Sequence, residues 1–483
     1  MSVTLAAASR DLPRGTPEEQ GVSSTAILKF IEAANKIDAM HSVMIVRHGH
    51  VIAEGWWAPF NAASQHMLYS LSKSFTSTAV GLAIAEGKLS LDDTVLSFFP
   101  EDAPATPGDN LKSMRVRDLL EMSTGHHADD LNKFSFNSTE RLTKAFLALP
   151  VAHKPGTHFL YNTPATYMLS AIVQKVTGQP IVDYLGPRLF EPLGIEHPVW
   201  QASAQGISLG GYGLSVRTGD IAAFGQLYLQ KGKWQGKQLL PASWVEAATT
   251  RQTSNGSSPT SDWDQGYCYQ FWRCRHNCYR GDGAFGQYCI VMPDQDAVVA
   301  ITSGVRDMQA VMNLVWEHLL PAMQPKRLSA DRDSQAKLRQ TLAGLVLPTV
   351  TGNSVPGPTF TPGRKFTFPS NDQKLESIVF ENGGKDGPLT LVARVNGATY
   401  RIVCGAGKWE KSRFAYGQLP EGPVAASGAW TSEDTCQARI WFYETPYCLT
   451  LTAKFSPHDV VVNPQFNVSF GPAKQSPLTG RLE

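Results

Sequence analysis

Two side chains at the start of one predicted helix have the chemistry of an activated nucleophile. Ser70 and Lys73 open the segment LYSLSKSFTSTAVGLAIAEGKL, and an apolar run follows them up to Gly87, which favours a left-handed stop. Residues three apart lie side by side on a helix, so the hydroxyl and the amine would meet near its N-terminus. A serine hydroxyl needs a base, and a lysine desolvated in a tight site can lose its charge near neutral pH. Taken alone, the pair indicates either a serine nucleophile with its own base or a lysine that extends from the helix end to solvent.

The same spacing occurs a second time, at Ser334 and Lys337. That copy lies in the charged segment SADRDSQAKLRQ, where a solvated lysine and a surface serine explain it. The spacing alone therefore does not identify a site, and the first copy must be judged by the chain around it.

The predicted secondary structure around this pair is mixed, and its type changes near residue 330. Before it, TPEE predicts a capping box that opens a helical region through STAILKFIEAANKI, and SVMIVR and VIAEGWW flank HGH as a hairpin. Further on, GQYCIVMPDQDAVVAITSG indicates two strands joined by a Pro-Asp turn, and the charged residues 325–343 favour a connecting helix or linker. Beyond them the chain predicts strands only, in KFTFP, LESIVFEN, LTLVARV, TYRIVCG, ARIWFYE, YCLTLTAKF and FNVSFG.

We therefore expect two domains. Residues 1–330 predict a mixed α/β (α+β) domain, and residues 345–483 predict an antiparallel β domain that is either a small barrel or a sandwich.

Composition excludes several classes of protein. The chain has 483 residues, and 43 basic against 42 acidic side chains leave a net charge of +1, so no basic field favours nucleic acid. The apolar runs are far shorter than the roughly 18 residues of a membrane span. The start, MSVTLAAASRDLPRG, does not have the pattern of a secretory signal, so we expect a cytoplasmic protein, or a periplasmic or secreted one if a native leader is missing.

The seven cysteines and the paired histidines do not indicate a metal site. Cys274 and Cys278 bracket His276, but the spacing is not C-x-x-C and no second ligand pair follows, so we expect reduced structural thiols. We interpret the remaining candidate ligands as solvated loop histidines; they are His48, His50, His126 and His127.

Several spaced segments together resemble the serine β-lactamase-like hydrolases, over residues 16–323. The segments are YSLSKSFTSTAVGLAIAEGKLSLDDTVLSFFP, MRVRDLLEMSTGH, GTHFLYNTPATYMLSAIVQKVTGQPIVDYL, EPLGI, GGYGLSVRTGDIAAFGQLYLQKGKWQGKQLLPASWVEAAT and GAFGQYCIVMP. The nearest in pattern is the class C β-lactamase type, with its esterases, D-peptidases and 6-aminohexanoate oligomer hydrolases. The resemblance implies an antiparallel sheet flanked by helices, with the serine helix between them, and a lipocalin-like C-terminal domain.

The resemblance also assigns roles to three residues. It implies that Ser70 is acylated, that Lys73 activates it, and that Tyr161 of the family's Tyr-x-Asn motif exchanges protons with the serine and the leaving group. A nearby ammonium would lower the phenol pKa from about 10, far enough for Tyr161 to act as a base. Thr163 stands where the family has Asn and is expected to contact the substrate.

The family's third motif, Lys-Thr-Gly or His-x-Gly, is not present in register. Either Arg280 or His276 would supply a cation for a substrate carboxylate, or both are an ordinary arginine and loop histidine. Gly283 and Phe285 belong to the turn GDGAFGQY and are expected at the substrate, where backbone N–H groups of Ser70 and the strand around residues 283–287 would form an oxyanion hole.

We therefore expect a hydrolase that cleaves a small-molecule ester or amide through an acyl-enzyme, without a cofactor or a metal. One alternative is a β-lactam or D-amino-acid peptide hydrolase, which the missing lysine disfavours. Another is a binding or sensor protein of the same fold that is acylated without turnover. No G-x-S-x-G elbow or phosphate loop points elsewhere, and the sequence leaves the substrate and the oligomeric state open.

Overall fold

A computed structural model of the chain describes residues 11–129, 134, 139–353, 360–382 and 388–483. The α-helices are α1 (Ser24–Ala34), α2 (Ser72–Ala85), α3 (Val95–Phe98), α4 (Asp109–Ser113), α5 (Val116–Leu120), α6 (Leu142–Leu147), α7 (Thr163–Thr177), α8 (Ile181–Leu185), α9 (Glu191–Leu193), α10 (Thr218–Leu229), α11 (Ala242–Thr249), α12 (Met308–Leu314) and α13 (Arg332–Ala343). The strands of the N-terminal part are β1 (Met40–Arg47), β2 (His50–Trp56), β3 (His66–Met67), β4 (Val199–Trp200), β5 (Leu214–Val216), β6 (Lys233–Trp234), β7 (Lys237–Gln238), β8 (Trp272–Arg273), β9 (Tyr279–Gly283), β10 (Gln287–Met292) and β11 (Ala297–Ser303). The C-terminal strands are β12 (Lys365–Thr367), β13 (Leu375–Asn382), β14 (Leu389–Val395), β15 (Ala398–Cys404), β16 (Glu410–Tyr416), β17 (Leu419–Trp430), β18 (Thr435–Trp441), β19 (Cys448–Phe455), β20 (Asp459–Phe466) and β21 (Leu478–Leu482).

A six-stranded antiparallel sheet organises the N-terminal part, in the order β2-β1-β11-β10-β9-β8. Both faces of this sheet are buried. Alternate residues of β1 belong to two different hydrophobic cores, one on each face. Met44 and Val46 pack with α2 and α10, whereas Val43 and Ile45 pack with α1 and α12. A strand that is covered on both faces is apolar throughout, which explains the continuous run in the sequence of β1.

The N-terminal helical region is divided in two. The capping box is present, with Glu19 N donating to Thr16 Oγ1 and the Thr16 hydroxyl donating to the Glu19 carboxylate. It opens only a short 3₁₀ turn, and α1 begins separately, with the Ser23 side chain accepting from Ala26 N. The hairpin of β1 and β2 is confirmed, but Arg47 pairs with His50, so its turn has two residues, His48 and Gly49, both at positive φ.

The predicted serine helix is confirmed as α2, and a 3₁₀ turn over Tyr69–Leu71 precedes it. Its residues are buried on all sides from Ser72 to Ala83, because it lies between α7 and the sheet strand β9. Ser70 therefore lies in the 3₁₀ turn, two residues before the first residue of α2. Gly87 follows the helix at φ 69°, as the sequence predicts.

The C-terminal part is one ten-stranded antiparallel sheet, in the order β15-β14-β13-β12-β21-β20-β19-β18-β17-β16. Its two ends come together where Gly405, after β15, donates to Ala426 O and accepts from Gly428 N, both in β17. The domain is therefore barrel-like rather than an open sandwich, and its interior holds a separate hydrophobic core.

Sequence patterns identify six of these strands and misplace one. The predicted strand FNVSFG is wrong, because β20 ends at Phe466 and residues 467–477 form a turn segment and a single bridge before β21. β16, β17, β20 and β21 are not predicted; the patterns of β17, β20 and β21 are interrupted by Gly, Pro or Asn residues.

The two parts are in direct contact. Ala58 N donates to Leu345 O and Leu347 N donates to Ala58 O, so the segment after α13 pairs with the chain that follows β2. Helix α13 itself packs on α1 through Leu338. The exact limits of the two domains stay a prediction.

Candidate active site

Lys73 is held in a fully buried position by three neutral oxygen atoms. Its Nζ donates to Ser70 Oγ at 3.2 Å, to Thr163 Oγ1 at 3.2 Å and to Gly211 O at 2.7 Å. The three contacts come from the turn before α2, the first residue of α7 and the loop before β5. Three acceptors match the three protons of an ammonium, and they fix the amine beside the serine hydroxyl.

This environment changes the proton affinity of the lysine. Only 1% of Lys73 is exposed to solvent, and burial lowers its pKa to about 7, although the carboxylates of Asp129 and Asp282 act in the opposite direction. A substantial fraction of the amine is therefore neutral near pH 7 and can accept the proton of Ser70.

Tyr161 completes a three-residue arrangement. Its ring centroid lies 4.9 Å from Lys73 Nζ, and its side chain lines the same cavity as Ser70. The ring stacks on Trp272 with centroids 5.3 Å apart. The structure thus brings Ser70, Lys73 and Tyr161 together, and their catalytic roles stay a prediction.

The expected pKa of Tyr161 is wrong in direction. Burial raises the pKa of the Tyr161 phenol above its ordinary value, and the nearby Asp282 carboxylate raises it further. The expectation assumed a permanent ammonium at Lys73, but the desolvated lysine, with a pKa of about 7, is only partly charged near neutral pH. In this arrangement the lysine is the stronger candidate for the base, and the phenol keeps its proton until it can donate it.

The start of α7 explains the sequence YNT. The Asn162 side chain caps the helix by accepting from Ala165 N at 3.2 Å, and Thr163 is the first helical residue. Thr163 lines the cavity beside Ser70, and its hydroxyl also accepts a hydrogen bond from Lys73. It therefore occupies the place expected for a substrate contact while also positioning the base.

Strand β9 approaches the nucleophile closely at Gly283. A Cβ atom at this position would lie 1.9 Å from Leu68 O and 3.1 Å from Ser70 N, so only glycine fits. Phe285 follows in the turn with φ 67° and packs on Tyr69, with ring centroids 5.7 Å apart. Of these two predicted substrate contacts, Gly283 lines the cavity, and Phe285 supports Tyr69, which lines it.

Neither candidate for the missing cation lies on the cavity wall. Arg280 is fully buried, and its guanidinium pairs with Asp282 at 2.8 Å and donates to Asp262 O at 2.7 Å. His276 is exposed, with its ring 5.2 Å from that of Trp316. Asp282, two residues after Arg280 on the same face of β9, is the group that faces the cavity.

The cavity has a volume of about 770 Å³, and six of its thirteen lining residues are aromatic. It is lined by Tyr69, Ser70, Asp129, Tyr161, Thr163, Tyr212, Trp263, Trp272, Asp282, Gly283, Ala284, Met308 and Phe470. None of these described lining residues is Lys, Arg or His, whereas two are carboxylates. Apart from Ser70, Tyr161, Thr163 and the turn around Gly283, sequence reasoning missed this wall, since single aromatic residues in loops carry no spacing signal.

The other sequence candidates lie away from this cavity. The Ser334 hydroxyl contacts the Thr25 hydroxyl on the surface, in agreement with the interpretation of the second Ser-Lys pair. All seven cysteines are free and buried, as expected. His127 is exposed, but the expectation of a solvated loop residue is wrong for His126, which is buried and bonded to Thr124 Oγ1 at 2.8 Å. In the part of the chain that the structure describes, no group of three or more potential ligands is arranged around a metal site.

Comparison with known proteins agrees with this architecture. The family model described as Beta-lactamase matches residues 33–310. A 6-aminohexanoate-dimer hydrolase of Paenarthrobacter ureafaciens is 27% identical over 326 residues, which cover 62% of this chain and 82% of that protein. A candidate D-alanyl-D-alanine carboxypeptidase of Escherichia coli K12 is 27% identical over 247 residues, and the match covers 39% of this chain and only 56% of that protein.

Among solved structures, a candidate 6-aminohexanoate-dimer hydrolase from Bacillus anthracis has the same fold. It aligns with a TM-score of 0.53 at 19% identity, covering 66% of this chain and 89% of that one. Among the described residues, no helix combines the length and the apolar character that crossing a membrane requires.

Proposed function

Because this chain belongs to the Beta-lactamase family and is a serine hydrolase of that family, we propose that it cleaves an ester or amide bond of a small molecule through an acyl-enzyme on Ser70. The observation that carries this proposal is the 3.2 Å contact between Ser70 Oγ and the buried amine of Lys73, whose pKa is about 7. A nucleophile and a base at this distance can transfer a proton without rearrangement.

In the first half-reaction, neutral Lys73 takes the proton of Ser70, and Oγ forms a bond to the carbonyl carbon of the substrate. The developing oxyanion is stabilised by the N–H of Ser70 and a backbone N–H of residues 283–287. Tyr161 donates its phenol proton to the departing alcohol or amine, and the proton held by Lys73 then restores the phenol.

In the second half-reaction, water attacks the acyl carbon. The water proton passes to the base formed by Lys73 and Tyr161, the bond from the acyl carbon to Ser70 Oγ breaks, and the serine regains its proton as the acid leaves. The chain's own side chains and backbone are sufficient for every proton transfer in this scheme.

The charge of the cavity wall bears on the substrate. Asp129 and Asp282 would repel a substrate carboxylate, and the Arg280 guanidinium is buried behind Asp282. We therefore place esters and amides without a carboxylate beside the scissile bond ahead of β-lactams and D-peptides. The same two carboxylates favour a second candidate, an amide whose acyl part carries an amine, in keeping with the name of the P. ureafaciens relative.

A labelling and turnover experiment tests the proposal. A fluorophosphonate probe should label one serine, and the protein should hydrolyse a short-chain nitrophenyl ester; both activities should be lost in Ser70→Ala and kept in the surface control Ser334→Ala. Labelling without turnover would instead support a sensor. Nitrocefin hydrolysis as fast as ester hydrolysis would overturn the preference against β-lactams.

A further inference from the structure

An exposed aromatic ring of the C-terminal domain reaches the cavity that holds Ser70. Phe470 lies in the turn after β20, is 73% exposed, and lines this cavity. Its ring centroid is 5.5 Å from that of Tyr69 and 4.8 Å from that of Phe285. Four large apolar side chains are exposed in the described part of the chain, and Phe470 is the most exposed of them and the only aromatic one.

The turn that carries Phe470 is fixed to the catalytic domain. Asn467 Nδ2 donates to Gly304 O, directly after β11, at 2.8 Å, and to Pro446 O at 2.9 Å. The Asn467 carbonyl accepts from Arg306 Nε at 3.0 Å, and its side-chain oxygen accepts from Cys448 N at 2.7 Å. These bonds tie the start of the turn, three residues before Phe470, to both domains.

The same domain also supports the residue before the nucleophile. Tyr69 has φ 47°, a strained value for a residue other than glycine, and its hydroxyl is 2.5 Å from that of Tyr447 at the start of β19. Tyr69 and Phe470 thus form one apolar wall of the cavity, which we call the Tyr69–Phe470 wall. One member comes from the turn before α2, and the other comes from the C-terminal barrel.

We propose that the Tyr69–Phe470 wall is a subsite for an apolar group of the substrate, such as an alkyl chain of several carbons or an aryl group, so that the C-terminal domain determines substrate selectivity. This inference rests on the proposed Ser70 hydrolase. Covering Phe470 removes apolar surface from water, which favours binding roughly in proportion to the area covered. A substrate with only a methyl group on each side of the ester would leave the wall exposed and gain nothing from it.

Three aliphatic esters test the subsite, because none of them has an aromatic leaving group that could itself occupy it. Methyl acetate, methyl hexanoate and hexyl acetate are hydrolysed under pH-stat conditions, and kcat/KM is compared among wild type, Phe470→Ala and Phe470→Leu. Val461→Ala, which changes a partly exposed residue of β20 in the same domain, is the matched control. The hexanoyl group of methyl hexanoate and the hexyl group of hexyl acetate distinguish an acyl-side subsite from an alcohol-side one.

We expect wild type to hydrolyse methyl hexanoate, hexyl acetate or both with a higher kcat/KM than methyl acetate. Phe470→Ala should reduce kcat/KM for that ester about 10-fold, as expected for losing part of a buried aromatic surface, and should change methyl acetate less than about 2-fold. Phe470→Leu should keep most of the preference, and Val461→Ala all of it.

The inference and the proposed function fail in different ways. If wild type hydrolyses methyl acetate in a Ser70-dependent manner but Phe470→Ala affects all three esters equally, the subsite is disproved and the hydrolase stands. If wild type hydrolyses none of the esters and is not labelled at Ser70 by the fluorophosphonate, the proposed function itself fails. Unchanged thermal unfolding of Phe470→Ala shows that a selective loss does not come from misfolding.

Discussion

The hydroxyl of Thr163 accepts a hydrogen bond from the Nζ atom of Lys73 at 3.2 Å, which makes the first residue of α7 part of the lysine's binding pocket. An acceptor at this distance stabilises the ammonium more than the neutral amine. Thr163 therefore holds the base in place and also raises its proton affinity.

Removing this acceptor should change both rate and pH dependence. Thr163→Val keeps the shape of the side chain but not its oxygen, so we expect kcat/KM to fall about 5- to 10-fold and the acidic limb of the pH profile to move to lower pH. Thr163→Ser keeps the acceptor and should resemble wild type. A loss of rate without any shift of the limb would contradict the assigned contact.

The pKa of Lys73 predicts the pH profile of the wild type. Since the neutral amine is the active form and its pKa is about 7, kcat/KM should rise with pH through about 7 and then level off. Lys73→Met should abolish turnover, whereas Lys337→Met, at the second Ser-Lys pair, should leave rate and profile unchanged. A profile that rises only near pH 10 would show that the lysine is not desolvated in solution.

The buried pair of Arg280 and Asp282 should be strongly coupled in stability. Arg280→Met leaves a buried carboxylate and Asp282→Asn leaves a buried guanidinium, so each single change should lower the free energy of unfolding by about 3–5 kcal/mol. The double variant should lose much less than the sum, because no uncompensated charge remains.

Urea unfolding of the four proteins measures this coupling. Arg401 and Glu381 form an ion pair on the exposed side of β15 and β13, and the matched cycle Arg401→Met with Glu381→Gln should show little coupling. If the losses of unfolding free energy at Arg280 and Asp282 were additive, the two side chains would not compensate each other's charge in the folded protein.

Two buried histidines beside the domain contact should make stability depend on acid pH. His41 Nδ1 lies 3.0 Å from His66 Nε2, and His66 Nδ1 lies 3.0 Å from Met67 O. These contacts are consistent with two neutral rings, in which His41 Nδ1–H donates to His66 Nε2 and His66 Nδ1–H donates to Met67 O. Burial lowers the pKa of His66 to about 4 and lowers that of His41 as well. Trp441 of β18 packs edge-on against His41.

The folded protein therefore binds fewer protons than the unfolded chain between pH 6.5 and about 4, and stability must fall as pH decreases through this window. From His66 alone the loss between pH 7 and pH 5 should be about 2 kcal/mol in the free energy of unfolding. His66→Gln should flatten this dependence, as measured by urea titrations at both pH values. The same slope in His66→Gln and wild type would refute the assignment.

The sequence determined what depends on neighbours along the chain. Helical spacing places Ser70 beside Lys73, and alternation along β19 places Leu449, Leu451 and Ala453 in the barrel interior. Tyr161 could be joined to the pair only through the resemblance to a family, because nothing in its spacing from Ser70 implies contact.

Tertiary structure decided the character of the site. Arg280 was a reasonable cation for a substrate, yet Asp282 on the same strand face holds it, and the segment expected as a last strand is the turn that brings Phe470 to the cavity. Burial, charge pairing and access depend on groups far apart in the chain, such as Thr163, which is 90 residues from the lysine it binds. Local spacing thus places a candidate nucleophile beside a candidate base, whereas the proton affinity of the base and the walls that select a substrate exist only after the chain has folded.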